Sequence, residues 1–199
     1  MERRFAIMGH RATSSGKLNL NDLAGACGRM DVLVRAVNTC LFSSHGIRDD
    51  SSIVLHLMGG PGPVRRICFD GSCLKGVHPD ERSIAGHISR ILQEPVPAIG
   101  QQMEIGHGIW HSGGGLEQTI SEWGRDDVRM ICLDADADEL TFSSEKIVDK
   151  MGFFLSDDVP FTENEYSLLS EVCEKKSLGK VWMQGHACIA IVQYLIDQI

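Results

Sequence analysis

Short apolar, β-branched runs alternate along this chain with stretches whose apolar residues recur at helical spacing. No other feature of the sequence narrows the choice of fold as much. Residues 5–9, 51–58, 64–69, 128–133 and 152–155 read as strands, and 105–110 as one more. Between them, Met30, Leu33, Val34, Val37 and Leu41 fall at i, i+3, i+4, i+7 and i+11, which predicts a helix over about 29–44. A second helix starts near Pro79-Asp80-Glu81, with proline and acids in its first turn, and carries Ile84, Ile88, Ile91 and Leu92. Shorter helices are expected at 116–123, at 144–150, and from Thr162 to about Cys173, where Thr162 and Glu165 have capping-box spacing. Strands alternating with helices imply an α/β fold with a mainly parallel sheet flanked by helices. No repeat, low-complexity tract or linker breaks the 199 residues, so a single domain over 1–199 is expected.

The last stretch is unusual. A turn at 177–179 and a brief extended piece at 180–183 lead into a final helix carrying Ala187, Ile189, Ala190, Ile191, Val192, Tyr194 and Leu195. A helix apolar on most faces is buried in a core or against a partner. Three loops, 133–139, 156–160 and 177–185, follow late strands or lead into this helix. In open α/β sheets ligands sit beyond the carboxyl ends of the strands, so a small-molecule pocket is expected in the C-terminal half. Residues 10–28, rich in Ser, Asn, Gly and Lys, read as a long loop, and long loops in compact domains are often functional.

Charge and cysteine usage exclude several classes. A net charge of −8 argues against a protein that coats nucleic acid. Six of the nineteen basic residues nevertheless fall early: Arg3, Arg4, Arg11, Lys17, Arg29 and Arg35. They are read either as a local RNA-touching patch or as a solvated basic face. No run approaches the roughly 20 apolar residues of a membrane span, and the apolar run after Arg4 is too short for a signal peptide. Seven cysteines without CxxC spacing suggest free thiols in a reducing cytoplasm. There is no GxGxxG after the first strand, no phosphate-binding GxxxxGK, no HExxH and no GxSxG. His107 and His111 are four apart, but Gly106, Gly108 and Gly113 oppose a helix there, and no metal site is expected. Asp134, Asp136, Asp138 and Glu139 lack the Gly and Glu of a calcium loop and read as a solvated turn.

Several ordered blocks carry a resemblance: Gly28-Arg29-Met30-Asp31-Val32-Leu33 with Asn38 and Ser44-His45-Gly46-Ile47-Arg48; Pro79-Asp80-Glu81-Arg82-Ser83; Gly113–Leu116 with Glu117; and Ser177-Leu178-Gly179 with His186-Ala187-Cys188. Together they resemble the archaeal tRNA pseudouridine-54 N1-methyltransferase family (TrmY), in the SPOUT class of RNA methyltransferases. The resemblance implies a C-terminal trefoil knot, S-adenosylmethionine (SAM) as cofactor, an RNA substrate (a tRNA), no DNA or membrane partner, and a homodimer. It places cofactor contacts at Leu133, Ser156, Leu178, Gly179, Met183 and Cys188, mostly through backbone groups. Cys188 would contribute shape, not nucleophilicity. Asp31 and Arg29 become candidates for general base and for anion stabiliser or phosphate contact. Their spacing, two apart at a helix start, points them in different directions, so one of them is structural, and helix capping by Asp31 stays open. Two positions depart from the family pattern: Ser156-Asp157-Asp158 stands where Gly-Asp-His is expected, and Ser112 where an arginine is. These departures also leave open a module that binds SAM or RNA without turnover, or a relative acting on another RNA. An α/β enzyme using another nucleotide is a further alternative, against which the missing glycine fingerprint speaks.

Overall fold

A computed structural model describes residues 1–142 and 148–199. Eight strands form one sheet in the order β10-β8-β9-β1-β4-β5-β7-β6. In chain order, β1 is Glu2–Thr13, β4 Ser51–Gly59, β5 Arg65–Asp70, β6 Gln102–Gly106, β7 Ile109–Gly113, β8 Arg129–Leu133, β9 Lys150–Ser156 and β10 Glu174–Lys176; a small hairpin pairs β2 (Phe42–Ser43) with β3 (Gly46–Ile47). The strands from β10 to β4 are parallel, and β5, β7 and β6 add an antiparallel flank. The mainly parallel α/β sheet expected from the alternation is therefore present, with a mixed edge.

Side-chain alternation explains the layers. Along β1, Phe5 and Ile7 point to one face and Ala6 and Met8 to the other, all four fully buried. The first face is covered by α1 (Met30–Leu41), α2 (Glu81–Ile91) and α5 (Gly185–Asp197); Ile53, Leu55, Ile67 and Phe69 join the core there. On the second face, α3 (Leu116–Arg125) and α4 (Glu163–Val172) bring Trp123 and Leu169 onto Phe154 and Cys132. A strand buried on both faces needs a continuous apolar run, which is what residues 5–9 offered.

The local signals for helices hold. The Asp80 carboxylate accepts from Ser83 N–H at 2.8 Å at the start of α2. Thr162 and Glu165 form the expected reciprocal box, with Thr162 N–H donating to Glu165 Oε2 at 2.8 Å.

Other expectations are corrected by long-range pairing. β1 runs from Glu2 to Thr13, not 5–9, because β4 and β9 hydrogen-bond it from both sides. The long loop thus begins after Thr13. The single strand expected at 105–110 is a hairpin, β6–β7, turning at 107–108; Gly108, at φ +76°, lies so close to Leu74 that a Cβ would sit 2.6 Å from its Cα. No strand occupies 180–183; the extended piece is β10, three polar residues at the sheet edge, where apolar alternation is not required. The helix expected at 144–150 falls mostly outside the described residues; 148–149 are not helical and Lys150 opens β9. The final helix is buried on one side only: Ile189, Val192, Gln193 and Ile196 face the core, while Tyr194 is 63% exposed.

Candidate active-site cleft

The parallel strands β8 and β9 end at Leu133 and Ser156. Beyond them the chain makes the loops 134–140 and 156–161, and a third segment, 177–184, leads into α5. The walls of a cleft of about 450 Å³ come from these segments, inside the roughly 300–1,000 Å³ range of small-molecule sites. Leu133, Ser156, Leu178, Gly179, Met183 and Cys188 all line it, so the structure brings together the six positions that the resemblance implied.

Each is held locally. Gly179 takes φ +128°, a conformation that side chains resist, and its N–H donates to Ser177 Oγ at 3.0 Å. Ser177 N–H in turn donates to the Asp138 carbonyl at 2.7 Å, and Leu140 N–H to the Ser177 carbonyl at 2.7 Å, so two of the loops are laced together. The Ser156 hydroxyl donates to the Val159 carbonyl and closes its own loop. Cys188 Sγ lies 3.8 Å from the Met183 carbonyl, and burial pushes its thiol pKa up, which suits a shape-setting role. Much of the remaining lining is apolar or aromatic, with Pro160, Phe161, Tyr166, Val181 and Trp182, and three carboxylates, Asp134, Asp157 and Asp158, stand among it. Tyr166 O–H donates to Asp134 at 2.6 Å, while Lys175 Nζ sits 3.8 Å above the Tyr166 ring.

Neither Arg29 nor Asp31 lines this cleft; they meet each other outside it, and Arg29 reaches it through the lining residue Asp158. Arg29 is the N-cap residue of α1 and has φ 65°, a left-handed conformation rare outside glycine. That turn brings its guanidinium back over Asp31, with Nε to Oδ1 at 2.9 Å and Nη2 to Oδ2 at 3.2 Å. The expectation that a spacing of two would point them apart is thus overturned by one backbone dihedral. The N-cap position is Arg29, which makes no side-chain cap hydrogen bond, and Asp31 is the acidic residue of the first turn. Arg35 holds the same carboxylate from one turn on. Burial works to raise the Asp31 pKa, but the Arg29 hydrogen bond and both guanidinium charges outweigh it and hold it below the usual range. Arg29 Nη1 also donates to Asp158 Oδ2 at 3.1 Å, and Arg11 pairs with that same oxygen. Asp158 therefore links the basic cluster to the lining of the cleft. Gly28 makes this junction possible: at φ +63°, its Cβ would lie 1.7 Å from the Arg11 carbonyl oxygen.

Residues 2–199 match a family described as "Putative SAM-dependent RNA methyltransferase". The chain belongs to this family. A tRNA (pseudouridine(54)-N(1))-methyltransferase of Methanococcoides burtonii is 34% identical over 197 residues, covering 98% of this chain and 96% of the relative. One of the same description from Methanospirillum hungatei is 37% identical over 195 residues, covering 98% and 95%. Among solved structures, Archaeoglobus fulgidus Nep1 bound to S-adenosylhomocysteine aligns with a TM-score of 0.67 at 13% identity, over 100% of this chain and 98% of that one. This last likeness shows the shared fold.

The departures noted in the sequence fall in different places in this RNA methyltransferase. Ser156 and Asp158 line the cleft. Ser112 is buried in β7 beside a separate polar cavity of about 280 Å³, near the starting ends of β1 and β4, where Arg4 and Arg66 are neutralised by Glu2, Asp126 and Glu122. Sequence reasoning missed His10. It follows the apolar run of β1, and its ring lies between Asp157 Oδ1 (2.9 Å) and Glu165 Oε2 (3.0 Å). Nothing local to His10 signals these partners, which lie 147 and 155 residues away.

Proposed function

We propose that this protein transfers a methyl group from SAM to N1 of pseudouridine in tRNA. The observation that carries the reading is the convergence of Leu133, Ser156, Leu178, Gly179, Met183 and Cys188 on one cleft at the ends of the parallel strands. Relatives sharing about a third of the sequence over nearly full length are named for that reaction. The lining suits the ligand: aromatic side chains can pack a purine, and the Asp134 carboxylate suits a molecule carrying positive charge. When bound, SAM supplies an electrophilic methyl group on a sulfonium.

The chain's own residues then have three tasks. The backbone of 177–184 and 156–160 orients the cofactor, and much of the rate comes from such positioning. Arg29, with Arg11 beside it, meets the RNA and stabilises negative charge as the pseudouridine N1 gives up its proton to solvent water; the methyl group replaces that proton on N1, and S-adenosylhomocysteine leaves. Asp31 was the sequence candidate for base. Two guanidiniums hold it ionised and weakly basic, so we assign it the task of aiming Arg29. An unstacked uridine isomer presented by an RNA loop suits a rim of this kind.

The SPOUT trefoil knot belongs to the same reading. Its support is the packing of Leu140, Phe142 and Val148, from the β8–β9 connection, into the core that also holds Ile189, Val192 and Ile196 of α5. We also read the chain as one catalytic domain, cytoplasmic, working as a homodimer without DNA or membrane partners. Val181 and Trp182 in the cleft wall are 72% and 67% exposed, and Tyr194 further along α5 is 63% exposed, apolar surface that a second copy would cover. Among the described residues no helix is long and apolar enough to cross a membrane.

The test is methyl transfer from labelled SAM to tRNA carrying pseudouridine in its T-loop, with the product nucleoside identified by mass spectrometry. N1-methylpseudouridine is the expected product. Tight SAM binding without methylation of any tRNA would replace this reading with a non-catalytic module or another RNA substrate.

A further inference from the structure

One wall of the cleft, Ser156 and the residues 157–161 that follow β9 without regular structure, is nevertheless tightly specified in shape. Asp157 is the hub. Its side chain is 0% exposed. Oδ1 accepts from Val159 N–H at 2.9 Å and Oδ2 from His10 N–H at 2.9 Å, while its own N–H donates to the Met8 carbonyl at 3.0 Å. The His10 ring completes the arrangement, reaching Asp157 with Nδ1 and Glu165 with Nε2. Glu165 Oε2 also accepts from Thr162 N–H and O–H, each at 2.8 Å. One imidazole thus connects the end of β1, the cleft loop and the first turn of α4.

We propose that His10, as an imidazolium between Asp157 and Glu165, is the positioning residue that holds the 156–161 wall in its cofactor-binding shape. It rests on the reading of the cleft as the SAM site. The chemistry of the contacts requires the charged ring. Both ring nitrogens face carboxylates, and only the doubly protonated form donates to both. Neutral imidazole would turn a lone pair on one buried carboxylate, and the wall would lose a fixed point. Asp157, from the loop after β9, and Glu165, from α4, are the charged groups acting on the ring; their hydrogen bonds outweigh burial and lift its pKa from 6.5 to about 9. His10 does not line the cleft and acts through the wall alone.

The experiment is calorimetric binding of S-adenosylhomocysteine between pH 6.5 and 10, with wild type, His10→Asn and Glu165→Gln. Taking the ratio of variant to wild-type Kd at each pH removes the titration of the ligand itself. His10→Asn should bind about tenfold more weakly at pH 7.5 and converge on wild type as the pH passes the His10 pKa, one pKa unit being a factor of ten. Glu165→Gln keeps an acceptor for Thr162 N–H, so α4 stays capped. With one carboxylate gone, its alkaline loss of affinity should begin about one pH unit lower. A purely structural contact would not move that midpoint, and Glu165→Gln keeps the test valid if His10→Asn fails to fold. A folded His10→Asn that binds within twofold of wild type, or Glu165→Gln with an unshifted midpoint, overturns the proposal. Wild type that binds no ligand at any pH overturns the cofactor reading as well.

Discussion

At the scale of single residues, Arg29 and Asp158 decide how the basic cluster behaves. Arg29 stores backbone strain, since its φ of 65° costs an L-residue roughly 1 kcal/mol or more. Glycine would relieve it. Arg29→Gly is therefore expected to be about 1 kcal/mol more stable than Arg29→Ala in urea denaturation, while both lose most methyl transfer. Equal stability of the two would mean the strain is absent. Asp158 occupies two guanidiniums with one oxygen. Asp158→Asn frees Arg11 and the Nη1 edge of Arg29 for phosphate and should tighten tRNA binding about fivefold at low salt, with the gain shrinking as salt rises; filter binding at two salt concentrations reads this. The Asp31 carboxylate, held low by its arginines, stays ionised across neutral pH. Its protonation should put no acid limb on the rate profile between about pH 5 and 8.

At the scale of elements, α5 is fastened by more than its apolar stripe. Gln193 is 3% exposed, and its amide donates to the Cys40 carbonyl and to Ser51 Oγ, both at 3.1 Å, while its carbonyl accepts from Arg3. Asp197 at the end of the helix pairs with Arg3 and Arg48 at 2.6 Å each. Gln193→Ala leaves the nearly buried Arg3 without one partner and should destabilise by about 2–4 kcal/mol, measured by urea unfolding. On the other face, Gly152 lets β9 pass beneath Trp123, because a Cβ there would lie 2.5 Å from the ring. The periodicity of residues 152–155 was enough to place that strand. It could not tell that its first glycine is a packing requirement, since Trp123 belongs to α3.

At the scale of the whole molecule, pH and self-association are the measurable handles. His10 has its pKa raised from 6.5 to about 9 in the folded state. Its contribution to stability is complete below about pH 6.5 and is lost as pH rises through about 9. The wild-type Tm should therefore drop over that window relative to Tm at pH 6.5, and the drop should be smaller in His10→Asn. Apolar surface at Trp182 and Tyr194 has the opposite use, in assembly. Tyr194→Glu is expected to shift the protein to monomer in sedimentation velocity, and activity should fall with it if the second copy also covers Trp182 at the cleft.

The sequence by itself determined the alternation of strands and helices, the caps at Asp80 and Thr162, and the apolar seam of α1. Those signals are short-range: side-chain period and hydrogen bonds within a few residues. The place of the cleft was legible in the alternation itself, since the loops 133–139, 156–160 and 177–185 that follow the late strands form its walls; which residues in them meet a cofactor was legible only through the ordered blocks shared with a known family. Tertiary structure alone decided that residues 102–113 double back as a hairpin and that a polar tripeptide forms the edge strand β10. It also decided that Arg29 folds back on Asp31, and that His10 stands between Asp157 and Glu165. Each of these depends on a backbone dihedral or a partner far along the chain, and a linear pattern carries no information about which distant groups the packed sheet brings within 3 Å.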